Sequence, residues 1–140
     1  MATKEIHYIS YPEAVYLHID LMRFYGEIRF GVAFPELIES ALARPQQAAV
    51  YENADLIRQA ATLCFGLIKN HPWVGGNKRT ATHIVEAFLV ANGFELAAAI
   101  ADVIELVLAV EANHFQVEDI EQWLRTRVTS TAYSETKENP

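Results

Sequence analysis

"NADLIRQAATLCFGLIKNHPWVGGNKRTATHIVEAFLVANG", Asn53 to Gly93, decides the fold. On either side of its glycine pair, apolar residues recur at helical spacing: Leu56, Ala60, Leu63 and Leu67 before it, Ile84, Ala87, Phe88 and Ala91 after it. That pattern predicts two helices joined by a short polar loop. The first is capped by Asn53 and long enough to run near the centre of a small domain; the second is stopped by Asn92 and Gly93.

Upstream, "SYPEAVYLHIDLMRFYG" places Ser10, Pro12 and Glu13 as a capping-box start to a helix ending near Gly26, with Val15, Ile19 and Met22 facing inward. "FYGEIRFGVAF", Phe24 to Phe34, changes character. Two glycines bracket alternating aromatic, charged and β-branched residues, which suits a short hairpin or an extended flap. "PELIESALARP", Pro35 to Pro45, reads as a short helix bounded by prolines and followed by a polar link. Downstream, a helix is expected over about Asp102 to Asn113. "VEDIEQWLRTRV" supplies a last one, with Ile120, Trp123 and Leu124 inward. The expectation is a single all-α domain over residues 1–128 and a polar, disordered tail over 129–140.

With 140 residues, 51% of them hydrophobic, the chain can bury one sizeable core. Its net charge of −7 argues against a broad nucleic-acid face, so any anion site must be local. Cys64, the single cysteine, lies in the apolar run "ATLCFGLI" and reads as a buried, inert thiol. No secretory apolar region and no 18-residue uncharged stretch occur, so a cytoplasmic protein without a membrane span is expected. His7, His18 and His114 have no metal-ligand spacing, His83 reads as a surface or interface histidine, and no zinc site is expected.

The loop "HPWVGGNKR" carries the chemistry. Gly75, Gly76 and Asn77 precede a helix starting near Lys78, so backbone amides of its first turn can converge on one anion. Lys78 and Arg79 oppose the helix dipole at that end, a local conflict that a bound phosphate would relieve. His71 ends the preceding helix only a short loop away, where an imidazole could act as general base on an attacking hydroxyl. Trp73 reads as the anchor of the loop to the core. A Walker phosphate loop is excluded, because Arg79 follows Lys78 where that motif needs serine or threonine.

"HPWVGGNKRTA" resembles the signature H-x-F-x-D-x-N-K-R-T-A of the Fic/Doc family, specifically its death-on-curing branch, and the similarity of order and spacing extends over most of the chain. The resemblance implies a Fic-fold helical bundle with a short β-hairpin flap. It assigns His71 as general base, Gly76 and Asn77 as shaping the anion nest, and Lys78 and Arg79 as holders of nucleotide phosphates. Glu27, Ile28, Arg29 and Phe30 fall in the flap that positions the target. Family members with glycine after the asparagine transfer AMP from ATP, whereas those with lysine there, as Lys78 here, transfer the γ-phosphoryl group. The implied role is a toxin that uses ATP and Mg²⁺ to phosphorylate a threonine of elongation factor Tu and is blocked by an antitoxin.

Two departures bear on that role. Gly75 stands where the family has the aspartate or glutamate that holds Mg²⁺, so no metal ligand is evident in the motif. A substitute carboxylate must come from elsewhere in the fold, Glu27 and Glu39 being the candidates. The tail sequence "SETKEN", Ser134 to Asn139, matches the inhibitory-helix pattern of some Fic proteins, but the arginine such a helix pairs with is Thr82 here. Three functions stay open: a Doc-type kinase, an AMP transferase, and a degenerate member that binds nucleotide or a partner without turnover.

Overall fold

In the computed structural model, which describes residues 5–131, the chain runs through α1 (Tyr11–Phe24), α2 (Pro35–Glu52), α3 (Leu56–Asn70) and α4 (Asn77–Ala91). The strand β1 (Phe94–Leu96), the helices α5 (Ile100–Glu111) and α6 (Val117–Arg125), and the strand β2 (Val128–Ser130) follow. The all-α class with a small β element holds, though the strand pair is β1 against β2, antiparallel, with Leu96 opposite Val128.

The capping box forms: Ser10 Oγ accepts the Glu13 N–H at 3.2 Å, and Glu13 Oε1 accepts the Ser10 N–H at 3.0 Å. The face α1 buries is Ala14, His18 and Met22, so of the expected inward set only Met22 is fully buried. α2 does not stop at Pro45. It continues to Glu52 because Ile38, Ala41, Pro45 and Ala48 form one continuous buried face, and that burial outweighs the lost backbone bond. Asn53 is therefore the left-handed C-cap of α2, at φ 55°, while Asp55 caps α3 by accepting the Arg58 N–H at 3.0 Å.

α3 lies at the centre, packed by α2, α4, α5 and α6, and is buried nearly all round through Ala60, Leu63, Leu67 and Ile68. Truncating Leu67 to alanine there would cost about 2–5 kcal/mol. Gly66 lets α2 approach: a Cβ on it would lie 2.7 Å from Arg44 Cδ and 3.2 Å from Ala41 Cβ. Cys64 is buried as expected, and burial pushes its thiol up to about 12.

The segment after α1 forms no hairpin of its own. It is the extended alternative, paired with the loop after α3 through a bridge between Val32 and Trp73 and the backbone hydrogen bonds around it. Thr129 and Ser130, expected in a polar tail, belong to β2 instead, and the Thr131 N–H bonds the Gly93 carbonyl at 2.9 Å. "SETKEN" lies outside the described residues. Among the described residues no helix is long and apolar enough to cross a membrane.

Candidate functional site

α3 ends at His71, which adopts the left-handed region at φ 45°, ψ 57° and turns the chain sharply. A non-glycine residue held there stores strain of the kind that gathers at functional sites. The ring is directed outward, about half exposed, and its Nε2 lies 3.1 Å from Glu111 Oε2 at the end of α5. Lys78 Nζ lies 3.6 Å from the other oxygen of the same carboxylate. Glu111 thus joins the two residues expected to carry base and phosphate roles.

Between His71 and α4 the loop is pinned by Asn77. Its Oδ1 accepts the Trp73 N–H at 2.9 Å and its Nδ2 donates to the Trp73 carbonyl at 3.0 Å, closing the turn. Gly76 caps α4 at φ 68°, a left-handed conformation that favours glycine. The first intrahelical bond of α4 runs from the Thr80 N–H to the Gly76 carbonyl at 2.9 Å, so the amides of Asn77, Lys78 and Arg79 have no acceptor within the helix. No side chain caps that end and no acid occupies its first turn. An uncapped helix start with two cations on it is a site arranged for an anion.

Arg79 faces the flap, with Nη1 3.2 Å from Glu27 Oε1 and its guanidinium 4.4 Å from the Tyr25 ring centroid. A cavity of about 320 Å³ opens beside it, with Leu21, Tyr25, Val85, Leu106 and Trp123 in its wall. Ile28, at 93% exposure, projects into solvent from the flap tip, while Phe30 packs edge-on to His18 at 6.3 Å between ring centres. Arg29 meets the loop through its backbone, opposite Gly75.

His18, which the sequence marks only as lacking metal-ligand spacing, organises these pieces. Fully buried, its ring stacks on Trp73 at 4.2 Å, its Nε2 accepts the Gly31 N–H at 2.9 Å, and its Nδ1 lies 2.8 Å from Thr80 Oγ1. Since Nε2 accepts, Nδ1 carries the proton and donates to Thr80. Burial lowers this imidazole to about 4, so it stays neutral near physiological pH. One ring therefore ties α1, the flap, the motif loop and the first turn of α4 together. The sequence signal was its spacing, four residues from both Ala14 and Met22 on the buried face.

The donor set does not fit a Mg²⁺ ion held by the motif. Gly75 offers no carboxylate, and a Cβ built on it would lie 2.6 Å from the Arg29 carbonyl oxygen, so the space is filled. Asn77 Oδ1 is engaged by Trp73. Of the two expected substitutes, Glu27 pairs with Arg79 and Glu39 is exposed on α2. The carboxylate at the site is Glu111, which pairs with His71 and Lys78. Among the described residues no three acidic, histidine or cysteine side chains gather as a metal cluster.

The profile described as the Fic/DOC family matches residues 8–89, the span holding α1, the flap, α3 and most of α4. Over 79 residues the chain is 42% identical to Toxin Doc of Mycolicibacterium smegmatis (strain ATCC 700084 / mc(2)155). That match covers 52% of this chain and 61% of the relative's length.

Proposed function

The chain belongs to the Fic/DOC family, and from that premise we propose that it is a Doc-like toxin which transfers the γ-phosphoryl group of ATP to a hydroxyl of a protein target and so blocks translation. One observation carries the reading: His71 lies one short loop from the uncapped start of α4, and Lys78 and Arg79 stand on that start. In the proposed step the imidazole of His71 takes the hydroxyl proton as the target oxygen attacks the γ-phosphorus. The bond from that phosphorus to the β–γ bridging oxygen breaks, and ADP leaves. The amides of Asn77 to Arg79 and the two cations neutralise charge that builds on the transferring group. The flap, docked through Val32 and Trp73, would align the target segment.

A threonine of elongation factor Tu is the target the family resemblance favours, in a cytoplasmic setting, with an antitoxin protein as the controlling partner. Lys78 disfavours AMP transfer. Gly75 favours a second reading, a member that binds nucleotide without turnover, because the site lacks the motif carboxylate.

Incubation of the protein with a cell extract and ATP labelled at the α or the γ position tests this. Label from the γ position on one protein, lost in His71→Ala, is the expected result. Label from the α position would replace the reading with AMP transfer, and no label from either would leave the binding role.

A further inference from the structure

Gly75 is not in the left-handed region, unlike its neighbour Gly76, so backbone torsion does not explain why a glycine stands there. Space does. A Cβ at residue 75 would lie 2.6 Å from the Arg29 carbonyl oxygen and 3.5 Å from its carbon, a clash with backbone rather than with a side chain that could swing away. The flap is fixed at that distance from several sides. The Val74 N–H donates to the Gly31 carbonyl at 2.9 Å, the Ala33 and Phe34 N–H groups donate to the Pro72 carbonyl at 2.9 and 3.0 Å, and the Gly31 N–H donates to buried His18. Further along the flap, Glu27 and Tyr25 hold Arg79.

We infer that Gly75 is the contact that seats the flap on the phosphate loop: the flap backbone occupies the place of the motif carboxylate, and the cradle takes polyphosphate without a bridging divalent cation. A side chain at residue 75 and the observed flap position exclude one another. The glycine is then a packing requirement of this loop, and its loss would not simply restore a metal site. The seating depends on geometry alone, whereas cation-independent binding also rests on the proposed nucleotide role.

Amide hydrogen exchange on the full-length protein tests the seating, and ATP titration in Mg²⁺ or in excess EDTA tests the ligand chemistry. In Gly75→Ala and Gly75→Asp, the amides of Gly31, Ala33 and Val74 are expected to lose protection about tenfold or more, while those of the α3 core stay protected. ATP affinity of the unaltered protein is expected to differ by less than about fivefold between Mg²⁺ and EDTA, with no larger Mg²⁺ gain in Gly75→Asp. The inference is overturned if Gly75→Asp retains flap protection, or if either protein binds ATP more than about tenfold tighter with Mg²⁺. If no ATP binding occurs in any condition, the proposed nucleotide role and the ligand half of the inference fail, while the exchange result still decides the seating.

Discussion

His71 and Glu111, forty residues apart in the chain, meet at 3.1 Å, and the same carboxylate faces Lys78. Both partners of Glu111 are about half exposed, so the pairings add little to stability. Their effect is local charge: Glu111 is the internal counter-ion of a site otherwise arranged for an anion. Glu111→Gln should shift the melting temperature by less than about 3 °C. It should tighten ATP binding by roughly two- to tenfold at low salt, because Lys78 is no longer neutralised. Calorimetric titration checks this; weaker binding in the variant would show that the carboxylate helps hold the ligand.

The buried ring of His18 gives the fold a pH dependence of its own. Its pKa lies at about 4 in the folded state against 6.5 for an ordinary histidine, because burial disfavours the cation. The unfolded chain takes up this proton more readily, so the stability it contributes is complete above about pH 6.5, declines as the pH falls, and is gone near pH 4. Across that window the contribution is about 3 kcal/mol. His18→Gln, which keeps an acceptor and does not titrate, should flatten the profile, and urea melts at pH 7 and pH 4.5 on both proteins measure it. Parallel losses in the two would contradict this role.

Trp73 is 2% exposed, and its Nε1 has no hydrogen-bond partner among the described residues. Burying that donor unpaired costs about 1–3 kcal/mol, which offsets part of what the ring gains by stacking on His18. Trp73→Phe is therefore expected to change stability by less than about 1 kcal/mol, whereas Trp73→Ala should lose about 3–5 kcal/mol. Urea denaturation of both variants decides the point, and a phenylalanine variant as unstable as the alanine one would mean that the indole N–H is paired in solution.

The helices around the motif were readable because their caps and apolar spacing are local. Ser10 with Glu13 marked the start of α1, and Asn92 with Gly93 the stop of α4. Pro45 misled because its local effect is to end a helix, while the face it shares with Ala41 and Ala48 becomes evident only once α3 is packed against it. At the site, the loop and its cations were visible in sequence, being contiguous from His71 to Arg79. Glu111 was not, since nothing in the residues around it marks a contact made across forty positions. His18 was hidden for a different reason: it has no metal-ligand spacing to the other histidines, and only the spacing from Ala14 to Met22 pointed inward.

The proposal that phosphates gather at the start of α4 beside His71 is tested by titrating ATP into the ¹⁵N-labelled protein and following each backbone amide. Saturable shifts centred on Gly76, Asn77, Lys78 and Arg79, reduced in a Lys78→Ala, Arg79→Ala double variant that remains folded, are the expected result. Shifts confined to other parts of the surface, or none at millimolar ATP, would contradict it.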